Sequence, residues 1–151
     1  MADFNLAIDT VLTNEGGLSE NPSDPGGLTN FGISQRSYPT VDIRNLTRET
    51  AAAIYQRDFW HYDAVQSQPM ATKIFDMSVN MGHAAIRILQ TCLGVTVDGI
   101  WGPGTCAAVN AAGDSLLSDY RLALGRHYQN LVLANPALAQ FLKGWLRRAA
   151  Q

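Results

Sequence analysis

Glu15 closes a run in which Phe4, Ile8 and Val11 recur at helical spacing, so a carboxyl group shares the apolar face of an amphipathic helix. The three apolar positions fall within about 40° of it around the helix axis. Packing that face against a core carries the carboxyl away from water. Desolvation disfavours the anion, and the negative end of the helix macrodipole opposes a second negative charge. A carboxyl kept neutral is what a general acid for glycosidic cleavage requires. Position alone leaves a second reading open, in which Glu15 pairs with an arginine or fringes the helix end.

Nine residues on, Asp24 stands between Pro22 and Pro25, and the hydroxyl of Thr29 follows Gly26-Gly27. Prolines fix φ and glycines permit tight reversal, so this loop can bring acid, carboxylate and hydroxyl together with limited wandering. Glycoside hydrolysis needs two carboxyl groups in different environments, one protonating the leaving oxygen and one acting on the far side of the sugar. Asp24 can equally cap its own backbone in an Asx-type turn.

The elements that must position these residues follow from spacing, which predicts helices over about 3–15, from a Thr47 cap to Phe59, and from Pro69 through 70–93 as one core helix stopped by Gly94. A short helix over about 105–112, one capped by Asp114 and running to Leu133, and a last one opening at Pro136 follow. Leu28 to Ser34 supplies a short strand or hairpin. The expectation is an α+β domain, mainly α-helical, with two lobes and a small β element in the N-terminal one. Residues 1–65 would form the catalytic lobe and 66–151 a helical lobe within one compact domain.

With 151 residues, 46% hydrophobic and 16% charged, the chain has the makings of a buried core and is not disordered. The net charge of −2 argues against nucleic acid as a partner. Residues 1–76 carry five Lys/Arg against ten Asp/Glu, residues 77–151 six against three. Arg121, Arg126, Lys143, Arg147 and Arg148 concentrate on the last two helices. They form either a solvated face or, through Lys143, Arg147 and Arg148, a weak contact with an anionic wall or outer-membrane surface. Met1–Leu6 lacks the basic-then-apolar pattern of a secretory signal. Cys92 and Cys106 read as free thiols, and His61, His83 and His127 lack metal-ligand spacing, so neither metal nor cofactor is expected.

Asp76, Asn80, His83, Arg87 and Gln90 form one polar stripe on the core helix. It is a solvated face, or a set from which Asp76 and Asn80 hold the hydroxyl and amide groups of a sugar. Trp101, in the turn-rich segment Asp98-Gly99-Ile100-Trp101-Gly102-Pro103, either anchors a compact loop or stacks on a sugar face.

The string Glu15-Gly-Gly, then Pro22-Ser-Asp24-Pro-Gly-Gly-Leu-Thr29-Asn-Phe-Gly-Ile33, resembles the signature of glycoside hydrolase family 108, the N-acetylmuramidase domain of bacteriophage endolysins and related bacterial proteins. It is also similar to the Glu, Asp, Thr arrangement of phage-type lysozymes. Asp24 matches the first interval of that arrangement, while the second falls on Asn30, one residue beyond Thr29. Phe75-Asp76…Val79-Asn80…Gly82 is similar to the family's following helix. Leu89-Gln90…Asp98-Gly99…Trp101-Gly102-Pro103…Thr105 resembles its peptidoglycan-binding segment, and Gly144-Trp145…Arg147-Arg148 its C-terminal end.

The resemblance implies a lysozyme-like fold and a monomeric muramidase cutting the β-1,4 bond between N-acetylmuramic acid and N-acetylglucosamine. Glu15 would be the general acid, Asp24 the second carboxylate and Thr29 the hydroxyl that orients water, with Asn30, Asp76, Asn80 and Trp101 binding substrate. Such an endolysin, made in a host cytoplasm without a signal, would reach the periplasmic wall after another protein forms a pore and would lyse the cell. A lytic transglycosylase and a non-catalytic wall-binding module are the alternatives.

Overall fold

The computed structural model describes residues 1–23 and 27–151, and these fall into two compact units, Phe4–Trp60 and Met1–Asp3 with His61–Gln151. Seven α-helices and one small antiparallel sheet are formed among the described residues, an α+β architecture dominated by helix.

In the Phe4–Trp60 unit, α1 (Phe4–Glu15) buries Phe4, Ala7, Ile8, Val11 and Leu12, the face its sequence period marks out. Gly16 adopts φ 79° and donates its N–H to the Leu12 carbonyl, ending the helix in the left-handed region. Three strands follow: β1 (Ser19–Glu20), β2 (Leu28–Asn30) and β3 (Ile33–Ser34), in the order β1-β2-β3. Strand β1 is two exposed polar residues with no apolar alternation, so nothing in its sequence announces it. Thr29 is the shared register point, paired with Ser19 on one side and Ser34 on the other. The Asn21 N–H bonds the Gly27 carbonyl at 2.8 Å and extends the β1–β2 ladder by one bond, while Asp24 lies outside the described residues.

Helix α2 (Arg48–Phe59) starts at Thr47 as expected, with Thr50 returning its side chain to the Thr47 N–H in a capping box. Ala51, Ile54 and Tyr55 are its buried face.

In the other unit, the single core helix expected over 70–93 is two helices, α3 (Gln68–Met81) and α4 (His83–Leu93). They break at Gly82, whose φ 60° and ψ −136° an L-residue would resist. Ser67 caps α3, with Pro69 in its first turn. Then come α5 (Pro103–Ala111), α6 (Leu116–Ala134), a 3₁₀ turn over Pro136–Leu138 and α7 (Ala139–Ala150). Ser115, not Asp114, occupies the N-cap of α6, and it makes no side-chain cap bond. Ala71, Ile74, Phe75, Met77, Leu89, Tyr120 and Leu124 form the core of this unit, and the Tyr120 hydroxyl is satisfied by the Ala85 carbonyl at 3.1 Å. Cys92 and Cys106 are free thiols. No described helix is long and apolar enough to cross a membrane.

Candidate active site

Strands β2 and β3 pair Asn30 with Ile33 and leave only Phe31-Gly32 between them. Phe31 takes φ 52° and Gly32 φ 76°, the two left-handed residues that a two-residue type I′ hairpin demands. Glycine adopts this freely, whereas phenylalanine there costs about 1–2 kcal/mol and has to be held. The Tyr55 hydroxyl donates to the Phe31 carbonyl at 2.7 Å, from a side chain that is 2% exposed. One residue earlier, the buried Asn30 amide donates to the Ile43 carbonyl at 3.1 Å. The turn is thus fastened from both sides.

Glu15 comes to rest against this turn. A Cβ placed on Gly32 would lie 2.5 Å from Glu15 Oε2, 2.8 Å from its Cγ and 2.8 Å from the Tyr55 hydroxyl oxygen. The carboxyl group of α1, the hydroxyl of α2 and the bare α-carbon of the hairpin therefore meet at one point. Glu15 is half-buried there, not enclosed in the core as its place on the apolar face suggested, because it is the last residue of α1 and the chain turns away at Gly16.

Thr29 and Asn30 are neighbours on β2 and so face opposite sides of the sheet. Asn30 points inward and has its amide nitrogen committed to Ile43, while Thr29 is half-buried. Asp24 lies outside the described residues. Near the end of α2, Asp58 accepts two hydrogen bonds from Arg57, at 2.6 and 2.7 Å, and one from Tyr38 at 2.8 Å. The Arg57 guanidinium first, then the Tyr38 hydroxyl, hold the Asp58 carboxyl at about 2. Burial and Asp58 together push the Tyr38 phenol up to about 12.

Asp76, Asn80 and Trp101 belong to the other unit. Asp76 is 1% exposed and receives a two-pronged ion pair from Arg148, with Nη2 to Oδ1 at 2.9 Å and Nε to Oδ2 at 3.2 Å. Asn80 accepts a hydrogen bond from the Tyr128 hydroxyl. The Trp101 indole N–H donates to the His61 carbonyl at 2.9 Å, and its ring meets Tyr62 edge-on at 5.0 Å. Gln90 is 1% exposed and binds the 98–105 segment through the N–H groups of Asp98 and Gly99, the Asp98 carboxylate, the Ile100 carbonyl and the Thr105 hydroxyl. The stripe is therefore no uniform solvated face: Asp76 and Gln90 are interior polar anchors, while His83 and Arg87 are exposed.

Arg148 likewise does not join Lys143 and Arg147 on an outward basic face, since a buried carboxylate draws its guanidinium inside. Its backbone carbonyl accepts from Lys73, which is 4% exposed. Burial pulls the Lys73 ammonium down to about 8 against the opposing pull of Asp76.

Tyr55 is the residue at this turn that reading the sequence missed, while Gly32 stood in the string only as a motif position. Tyr55 passes for one more apolar position of α2, and only a tyrosine where a leucine would serve hints at a hydroxyl with work to do.

Residues 8–82 match the glycosyl hydrolase 108 family and residues 84–150 a predicted peptidoglycan domain. The changeover falls at the Gly82 break, so α3 carries the first family's segment into the unit formed by residues 61–151. The fold is similar to that in the structure of Brucella abortus SagA, with a TM-score of 0.77 and 27% sequence identity over 97% of this chain and 89% of that one. No curated protein matches the sequence. An α+β fold that carries a glycosyl hydrolase 108 segment over residues 8–82, joined to a predicted peptidoglycan domain over residues 84–150, makes this chain a peptidoglycan hydrolase.

Proposed function

We propose that the protein is a muramidase that cleaves the β-1,4 bond between N-acetylmuramic acid and N-acetylglucosamine. Glu15 protonates the leaving glycosidic oxygen, Asp24 stabilises positive charge or positions water, and Thr29 orients that water. The observation that carries this reading is the seating of the Glu15 carboxyl on the Phe31–Gly32 turn, where sheet and helix fix its position. The half-buried Thr29, set against an Asn30 amide already bonded to Ile43, supports Thr29 as the third member.

Substrate contacts from Asn80 and Trp101 remain part of this reading, and the chain acts as a monomer. Asp76 contributes by holding α3 through Arg148. Lys143 and Arg147 offer the contact with anionic wall groups. The protein is made in a host cytoplasm, reaches the wall through a pore made by another protein and lyses the cell as an endolysin.

Glu15→Gln assayed on purified peptidoglycan tests the core of this reading. The variant should lose lytic activity, and mass spectrometry of wild-type digests should show reducing ends. Products ending in 1,6-anhydromuramic acid would make the enzyme a transglycosylase, and full activity in Glu15→Gln would remove Glu15 from the chemistry.

A further inference from the structure

We propose that Tyr55 is the positioning residue of the general acid, acting through the strained Phe31–Gly32 turn; this rests on Glu15 being that acid. Phenylalanine at φ 52° is a conformation that the local chain does not choose. Asparagine is the residue whose own preferences suit the first place of a type I′ turn before glycine. Here the missing local preference is replaced by a hydrogen bond from another element, the Tyr55 hydroxyl at 2.7 Å from the Phe31 carbonyl. A tyrosine hydroxyl has one proton to give, and this one is given to the turn.

What the pin secures is the next residue. Gly32 at φ 76° turns its Cβ direction into the space where Glu15 Oε2 and the Tyr55 oxygen already stand, 2.5 and 2.8 Å from that position. The seat for the carboxyl exists only while both turn residues stay left-handed. Should Phe31 relax to negative φ, the hairpin would change its hand and Gly32 would move relative to α1. Tyr55 reaches the turn from α2, whose buried face packs it rigidly, so α2 transmits its position to the acid on α1 by way of the hairpin.

The test is a double-mutant cycle on kcat and apparent KM for solubilised peptidoglycan fragments, with melting temperatures measured alongside. Tyr55→Phe keeps the buried ring and removes only the proton donor. It should lower kcat about tenfold or more with KM little changed, because a displaced acid weakens the transition state and not binding. Phe31→Asn should rescue it, so that Tyr55→Phe costs less than about threefold in kcat within the Phe31→Asn background, where the turn holds itself. A merely structural tyrosine would lower the melting temperature and leave kcat per folded molecule intact, which would overturn the proposal. An undiminished kcat penalty for Tyr55→Phe in the Phe31→Asn background would overturn it too. If Tyr55→Phe alone does not fold, the double variant decides: near-wild-type kcat supports the pin, and a folded but slow double variant refutes it. Glu15→Gln in the same assay separates the two claims. Activity retained there removes the acid assignment, whereas a dead Glu15→Gln beside an unaffected Tyr55→Phe removes only the positioning role.

Discussion

Gly32→Ala places a methyl group where the carboxyl of Glu15 now stands, and its consequences divide into a small loss of stability and a large loss of rate. The new Cβ would lie 2.5 Å from Glu15 Oε2 and 2.8 Å from both Glu15 Cγ and the Tyr55 hydroxyl oxygen, closer than folded proteins tolerate. The hydroxyl is tied to Phe31 and yields little, so the glutamate moves. Alanine at φ 76° also costs about 1–2 kcal/mol of backbone strain. For a chain of this length that lowers Tm by roughly 2–8 °C, leaving the protein folded at room temperature. A carboxyl displaced by about 1 Å can lose on the order of a hundredfold in rate. The assay is the initial rate of reducing-end release from purified peptidoglycan well below Tm, normalised to folded protein by circular dichroism. Gly17→Ala is the control, because a Cβ there meets nothing within 4 Å. A Gly32→Ala enzyme with the expected drop in Tm but wild-type rate would refute the link between this turn and the acid.

Three other substitutions test separate parts of the molecule. Thr29→Ala should abolish lysis with little change in Tm, whereas Asn30→Ala should lose about 1–3 kcal/mol of stability through the orphaned Ile43 carbonyl and keep much of its rate when folded; chemical denaturation and activity assays compare the two. Asp76→Ala or Arg148→Ala should each cost about 3–5 kcal/mol, since either leaves an uncompensated buried charge, while Asp76→Leu with Arg148→Met should recover most of it in urea melts. Lys73→Met reports on the depressed ammonium. The folded state releases the Lys73 proton near pH 8 and the unfolded chain near 10.5, so between these values the unfolded chain binds more protons and the wild type gains stability as pH rises. Relative to Lys73→Met, wild type should therefore become more stable from pH 7 to 10, by up to about 3 kcal/mol, and a flat difference would contradict the shift.

What could be read from the sequence was what neighbouring residues decide among themselves. The buried face of α1, the stop at Gly16 and the Thr47 cap each follow from propensity and spacing over a few positions. Pattern failed where a distant partner decides. Asp76 and Gln90 repeat at the same helical interval as the exposed His83 and Arg87, and only Arg148 and the 98–105 segment turn them into interior anchors. Gly82 looked tolerable inside a continuous apolar run, yet its φ and ψ end one helix and begin the next. At the candidate site the string from Glu15 to Ile33 drew attention to Glu15, which lies against the Phe31–Gly32 turn, and to Thr29 on β2. It did not name Tyr55, 24 positions beyond the carbonyl it holds.

The pairing of Asp76 with Arg148 also bears on the order in which the chain can become an enzyme. The two residues stand 72 positions apart, and α3 emerges during synthesis long before the helix that neutralises it. Until then Asp76 has no Arg148 to meet it, and packing α3 to its final depth would bury a charge at a cost of several kcal/mol. A chain cut before α7 should therefore show residues 61–134 less protected in hydrogen exchange than in the full chain, and equal protection would contradict this dependence. The core around Asp76 is thus completed by α7, a helix far along the chain from the carboxylate it neutralises.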